Sequence, residues 1–456
     1  MIFGAVFFLI FTAFMGFVIN QKQVQDIKRN EEQALSIAEA GLNYYKWYLA
    51  HNPNDVTNGT TTPGPYVIPY ADPESDDIGE FSLAISSSTA CGDIIAIDIE
   101  STGSTYEDPD RDRTIYARYA KPTVAEYSYV INSNVWAGDD RTIIGPYHSN
   151  GIVRMDGTNN STVSSGQEDW VCDDSIPCDP YSAGTTLDGV YGDGPNYDLW
   201  ETGVAPVSFA GITVDLANMK TKAQADGRHF DDSGDYGYLI DFNSNDTFNI
   251  YRVTGTQSYQ GYTTEDGWEY ERHVITNTSE VAGSPFSIPS ECSLIFVEDK
   301  VWLRGEVSTK VTLAAADVDT IGVDPQIIID GNITYTGANA GLLAIAEEDV
   351  LVGVDVPNDM EINGIFIAQN GRFGRNHYDL SLPASLDAYR YRNSLTINGT
   401  IVSNGRVGTK WTSGGSWSSG FNTRYNSYDR DMVTDPPPLT PEVSDTYQFI
   451  EWREED

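Results

Sequence analysis

At 456 residues the chain is too long for one small domain, and its length suggests about two to four units. Its 67 acidic against 27 basic residues leave a net charge of −40. That argues against nucleic acid, whose phosphates need clustered cations, and against a basic anchor on anionic lipid. With 27 tyrosines and 9 tryptophans it is no acidic disordered tail either.

Residues 2 to 19, IFGAVFFLIFTAFMGFVI, are apolar apart from Thr12. A helix of that length reaches about 27 Å, enough for a bilayer core. Phe3, Phe7, Phe8, Leu9, Ile10, Phe11, Phe14, Phe17 and Val18 are its membrane- or filament-core residues. No basic segment precedes the run and no A-x-A site follows it, so it does not read as a secretory signal. Helical spacing continues through Val24, Ile27, Ala34, Ala38, Leu42, Tyr45 and Leu49, and Lys28 stands three and four residues before Glu31 and Glu32. With no proline before Pro53, one unkinked helix is predicted from residue 1 to about 51, within an N-terminal unit 1–53. The cations Lys22, Lys28 and Arg29 all follow the apolar run. By the positive-inside rule they alone would hold the head in the cytoplasm, so a removed basic leader is expected to restore the outward orientation.

Residues 54 to 78 read as loop, broken by Asn58-Gly59 and Pro63-Gly64-Pro65. Alternation at Phe81/Leu83/Ile85, Ile95/Ile97/Ile99 and Ile115/Ala117/Tyr119 then predicts a small antiparallel sheet within 54–123, able to bury the second apolar stripe of the helix. From about residue 125 short β runs repeat. Ile144-Gly145-Pro146-Tyr147-His148-Ser149-Asn150-Gly151-Ile152-Val153 aligns without gaps on residues 398–407, and Asp330-Gly331 and Asn363-Gly364 echo Asn398-Gly399. Val135-Trp136 with Gly138 echoes Val301-Trp302 with Gly305. The pattern predicts a parallel β-solenoid-like head over 124–456, with Ile and Val filling the bore and Asn-Gly corners at φ > 0; an ordinary β-sandwich is the alternative. Residues 156 to 290 read as an insertion. It holds a helix from Thr213 or Asp215 to Asp226-Gly227, with Ile212, Leu216 and Met219 on one face, and a hairpin Tyr238–Val253 turning at 243–246. Pro436-Pro437-Pro438 is extended, and residues 447–452 form a last strand. The fold class is α+β, mostly β.

The four cysteines contain no CxxC pair, which removes a zinc ribbon. An acidic surface rich in Ser, Thr, Asn and Gly reads as extracytoplasmic, where two disulfides are expected. Cys172–Cys178 is the easy pair and Cys91–Cys292 follows by elimination, out of three connectivities that four cysteines allow. The five histidines show no metal-ligand spacing, and no G-x-S-x-G, P-loop or G-x-G-x-x-G occurs. His148, standing where the repeat has Val402, is expected to point into the bore as a hydrogen-bonded core histidine. No cofactor is expected, calcium being the one ion considered. Asp241, Asn243 and Asn245 begin a D-x-N-x-N run, but Asp246 replaces the loop glycine and Arg252 the closing glutamate, which favours a hairpin turn. Glu107–Asp112 is a second candidate, against a solvated loop. Trp411, Trp417, Phe421 and Tyr425 lie in Gly/Ser-rich sequence, where they either stack on sugars or pack between strands.

The N-terminal helix is similar to α1 of type IV pilins and pseudopilins, and Ala34-Leu35-Ser36-Ile37-Ala38-Glu39-Ala40-Gly41-Leu42 resembles the IAEAG signature of large minor pilins. The stretch Asn43–Pro53, the Ser133-Asn134-Val135-Trp136 step, Gly145–Gly151 and the Pro-rich approach to Trp452 resemble large, β-rich-headed pilin-like surface proteins of ultra-small candidate-phyla bacteria. The resemblance implies a non-enzymatic minor or tip pilin, anchored in the inner membrane and then carried into an extracellular filament. Its partners would be other pilin subunits and a host-cell or glycan surface, with an adhesive head. Most pilins carry glutamate at mature position 5 to meet a neighbour's N-terminal ammonium; Ala5 here points to a tip position. The rival readings are a membrane-anchored glycan-active β-solenoid enzyme, a surface protein that never polymerises, and a secretion-type pseudopilin.

Overall fold

The computed structural model describes residues 2–52, 55–72, 77–173, 175–209, 215–320, 325–444 and 446–455, with the side chains of Ile2 and Ala5 outside that description. Contacts divide the chain into two units: residues 1–89, 93–121 and 446–456, and residues 90–92 with 122–445.

The first unit is built on α1 (Ile2–His51), a single 50-residue helix, as the lack of proline predicts. Among the described side chains its first half buries none: Phe3, Phe7, Phe8, Leu9, Phe14 and Phe17 are all exposed. Its second half buries Ala34, Ile37, Ala38, Leu42, Tyr45 and Leu49 against an antiparallel sheet. The sheet order is β1 (Tyr66–Ala71), β2 (Asp77–Ala90), β3 (Asp93–Thr105), β4 (Arg113–Ala120) and then the C-terminal strand Gln448–Glu455. Small residues set the helix-to-sheet distance. A Cβ on Gly103 would collide with the Ala34 carbonyl, one on Gly41 with the Ser101 hydroxyl, and Ser101 Oγ donates to the Ala38 carbonyl at 2.8 Å. Gly41 of the IAEAG stretch is thus a packing residue. Two expectations are corrected. Residues 66–71, read as loop, form an edge strand whose Pro69 is tolerated because the edge leaves one side unpaired. The last strand, assigned to the solenoid region 124–456, instead pairs with β4, and Tyr447 and Phe449 stack on Tyr119 at 5.3 and 5.2 Å.

The second unit is a parallel solenoid with three strand faces. In chain order its first strands are β5 (Tyr129–Ile131), β6 (Val135–Ala137), β7 (Arg141–Ile144), β8 (Tyr147–Ser149), β9 (Val153–Met155), β10 (Thr158–Asn159), β11 (Val163–Ser165), β12 (Asp169–Val171), β13 (Thr186–Asp188), β14 (Val190–Tyr191) and β15 (Trp200–Glu201). After helix α2 (Leu216–Ala225) come β16 (Arg228–Phe230), β17 (Tyr238–Asn243), β18 (Thr247–Thr263), β19 (Gly267–Glu280), β20 (Phe286–Ser287), β21 (Leu294–Val297), β22 (Val301–Val307), β23 (Lys310–Ala315), β24 (Ile327–Tyr335), β25 (Gly341–Ala346), β26 (Val350–Val352), β27 (Asp359–Ala368), β28 (Phe373–Gly374), β29 (Tyr391–Ser403), β30 (Lys410–Ser413) and β31 (Ser416–Ser427).

The coils do not stack in chain order. The first face runs β16, β21, β23, β25, β27, β29, β5, β8, β11, β15, every neighbour parallel. The C-terminal coil therefore sits on the first coil of the chain, with Ile401–Ser403 on Tyr129–Ile131 and these on Tyr147–Ser149. Between β15 and β16, residues 204–207 and α2 lie on the outside of this face. Val204 N donates to the Ser165 carbonyl at 3.1 Å, Asn150 Nδ2 donates to the Val207 carbonyl at 2.8 Å, and α2 packs on β21 and β16. This strap gives the first face a second apolar side: Leu343, Ile345, Ile365 and Ile367 point outward into a buried layer with Leu216 and Met219, while Ala344, Phe366 and Ile401 fill the bore.

α2 has the predicted place, capped by Asp215, whose carboxylate accepts from Asn218 N at 2.9 Å; Ile212 lies outside the described residues. Residues 156–290 prove to contain coils as well as excursions, since β10, β11 and β14–β17 belong to the faces. The true excursions are the β12–β13 hairpin and the β18–β19 ribbon. Gly364, Gly399 and Gly145 turn the third face into the first at φ of 151°, 139° and 107°, which only glycine takes without strain.

Candidate functional site

The second face of the solenoid is broken. Its upper run, β17, β22, β24, β26, β28, ends at Phe373–Gly374, and β6, β9 and β14 form a separate three-stranded sheet. Between them, the coil at residues 404–409 forms no strand: Gly405 N donates to the Gly371 carbonyl at 2.8 Å and Gly408 bridges Gly374 before the β30–β31 hairpin leaves it. A cleft occupies the break. Its wall and floor are Trp136, Arg372, Arg406, Val407, Lys410, Trp411, Trp417 and Arg424, with Asp139, Asp140, Thr264 and Glu265 around them.

Two hairpins frame it. The β18–β19 ribbon leaves the solenoid near β17 and is clamped down at its far end, where Tyr262 and His377 exchange backbone hydrogen bonds at 3.0 Å both ways. Its turn brings Thr264 and Glu265 to the cleft. Tyr262, Trp268, His377 and Trp411 pack ring against ring at 5.5 to 5.8 Å. A buried polar knot fixes the ribbon. Glu271 accepts from Asn376 Nδ2 at 2.5 Å and Tyr378 OH at 3.1 Å, and lies 3.3 Å from His273 Nδ1. Burial opposes ionisation of Glu271, but these partners outweigh it and hold its pKa below the usual value.

The cleft tryptophans are anchored through their indole N–H groups: Trp136 to Asp156 at 2.7 Å, Trp411 to the Arg375 carbonyl at 2.8 Å, and Trp417 to the Ser419 carbonyl at 3.1 Å. Asp140 is fully engaged, meeting Arg424 at 2.6 Å and Lys410 at 3.1 Å; burial would raise its pKa, and these cations lower it instead. Burial, and then Arg141, push Arg424 down to about 10. Arg406 donates to the Ser175 carbonyl at 3.1 Å and forms no ion pair among the described residues; burial lowers its pKa. Arg372 reaches Glu265 only at 3.8 Å.

Trp411 and Trp417 thus border the cleft, whereas Phe421 is buried in the bore and Tyr425 is exposed on the third face. Arg372 and Arg406 carry no signal in the sequence, and Trp136 only that of the repeat, because coils distant in sequence bring them together. The one available signal was the Trp136–Trp302 echo: both point outward from the second face, where Trp302 is buried under the ribbon and Trp136 stands at the break.

His148 does not enter the bore. In register it follows Val402 and Val130 on the outward side, where it meets Ser164 Oγ and Asn150 Oδ1, each at 2.9 Å. The repeat alignment was right, but Val402 itself faces outward beneath the strap. Asp241, Asn243 and Asn245 lie on the β17–β18 hairpin. Asp241 pairs with Arg304 at 2.9 Å, Asn243 bonds Thr247 and Asn249 at 3.0 Å each, and Asn245 accepts from Thr247 at 2.6 Å. Glu107 pairs with Arg29 at 2.8 Å and Asp108 with Arg111 at 3.1 Å. His229, Asp231 and Glu298 approach one another, but Lys220 Nζ sits 2.5 Å from Glu298 as its cation. Cys91 is joined to Cys292 and Cys172 to Cys178, with Cα atoms 4.3 and 6.0 Å apart.

No family model matches the chain, and no curated protein matches it. Among solved structures, the competence-associated pilin ComZ from Thermus thermophilus aligns over 93% of this chain and 97% of its own at 11% identity. The TM-score is 0.34.

Proposed function

We propose that the chain is a pilin-like surface subunit. Its α1 anchors it in the inner membrane and later packs among other subunits in an extracellular filament, while the β-rich part serves as a non-enzymatic adhesive head. The observation that carries this reading is the division of α1. Ala34–Leu49 buries its stripe in a sheet, whereas Phe3–Ile19 exposes a continuous apolar surface that folding leaves unsatisfied. Each large side chain there gains about 1.5–3 kcal/mol on leaving water, so the segment needs a bilayer or neighbouring helices. Among the described residues this is the one helix long and apolar enough to cross a membrane. A minor or tip position in that filament is the finer part of this reading. Against the enzyme reading stands Asp140, the most enclosed carboxylate of the cleft, whose oxygens are both held by cations.

A photo-crosslinker placed at Phe11 tests the proposal. Adducts to the N-terminal helix of other pilin-like subunits in sheared filaments are expected; crosslinks to lipid alone would overturn it.

A further inference from the structure

The cleft reverses the charge balance of the molecule. Acidic residues outnumber basic ones 67 to 27 in the chain, yet Arg372, Arg406, Lys410 and Arg424 face only Asp139, Asp140 and Glu265 here. Asp140 is spent on Arg424 and Lys410. Arg406 forms no ion pair among the described residues and feels Glu265 only through its charge, while Arg372 donates to Asn376 Oδ1 and reaches the same carboxylate only at 3.8 Å. A half-buried guanidinium without a close ion pair is costly and is relieved by an anion, which it can grip in a bidentate fork. The large apolar surface of the wall is indole, with Val407 beside it. Three tryptophans are fixed by their N–H groups, so their ring surfaces contact a ligand without being ordered first. Flat apolar ring surface beside a few fixed polar groups suits the C–H face of a pyranose, and the exposed Asp139 and Glu265 can accept from its hydroxyls.

We propose that this cleft binds an anionic saccharide, a pyranose seated against Trp411 and Trp417 with its carboxylate or sulfate paired with Arg406 and Arg372. This deepens the adhesion part of the reading above and rests on it for its biological setting.

Isothermal titration of the full-length chain in detergent micelles tests it, with tetragalacturonate, a sulfated chondroitin tetrasaccharide and neutral maltotetraose as probes. At least one anionic probe is expected to bind about tenfold or more tighter than maltotetraose, and the better of the two identifies carboxylate or sulfate as the recognised group. Arg406→Gln should weaken that binding by at least about tenfold with an unchanged melting temperature, and Trp417→Ala by a similar factor. Should Trp417→Ala fail to fold, Arg406→Gln decides alone. Equal binding of the neutral probe, no binding of either anionic probe, or unchanged affinity in Arg406→Gln would overturn the proposal. The readout needs no filament, so a negative result here leaves the assembly reading intact, and failure to enter filaments leaves this one intact.

Discussion

Asp330 shows how a single residue senses the solenoid wall. Burial, then the charge of Asp355, raise its pKa to about 7 despite Arg304 Nη1 at 3.1 Å. Between roughly pH 4 and 7 the folded chain therefore holds a proton that the unfolded chain has released, so this site stabilises most at low pH and loses its contribution as pH rises through about 7. Urea midpoints compared between wild type and Asp330→Asn should diverge in that window, with the wild type losing more as pH rises. Parallel curves would show that the proton is not held. Trp302 is a second residue-scale case. It is fully buried under the ribbon and donates to the His273 carbonyl at 2.6 Å. Trp302→Ala should cost about 3–5 kcal/mol in chemical denaturation, through a cavity and an unpaired carbonyl together.

At the scale of elements, the β18–β19 ribbon depends on one carboxylate. Glu271→Ala would leave Asn376 and Tyr378 buried without their acceptor, at about 1–3 kcal/mol for each polar group stranded. The ribbon end, and with it Thr264 and Glu265, should loosen while the coils stay folded. Limited proteolysis should then cut near residues 264–266 faster than in wild type, and an unchanged cleavage rate would contradict the clamp. The disulfides differ in the chain length they close. Cys91–Cys292 spans a separation of 201 and Cys172–Cys178 one of 6. Loop-closure entropy gives about 5 kcal/mol for the first and about 2 for the second, so serine pairs at the two sites should separate clearly in thermal melts. Most elements were legible because their periodicity is local. The α1 helix, the alternation of β2 to β4, the Asp215 cap and the glycine corners each depend on neighbours within a few residues. The edge strand Tyr66–Ala71 was hidden by Pro69 and the breakers before it, and the ribbon by polar residues that alternate weakly along an exposed hairpin.

At the scale of the whole chain, the permuted stacking was not legible. Repeats reveal that coils are alike but not which coil lies on which, and here residues 398–407 and 144–153 are separated in the stack by a single strand, β5. The cleft inherits that difficulty, since Arg372, Arg406 and Trp136 come from three coils of which the last is first in the chain. Inverted charge in the cleft, a strap over the first face and an apolar half-helix left bare are all consequences of the fold rather than of any motif. The proposal that joins them is that α1 carries this head into a filament. Mass spectrometry of filaments sheared from cells and freed of membrane tests it most directly. The account predicts peptides of this chain in the filament fraction, well below the abundance of the major subunit; recovery of the chain from the membrane fraction alone, with none in sheared filaments, would contradict it.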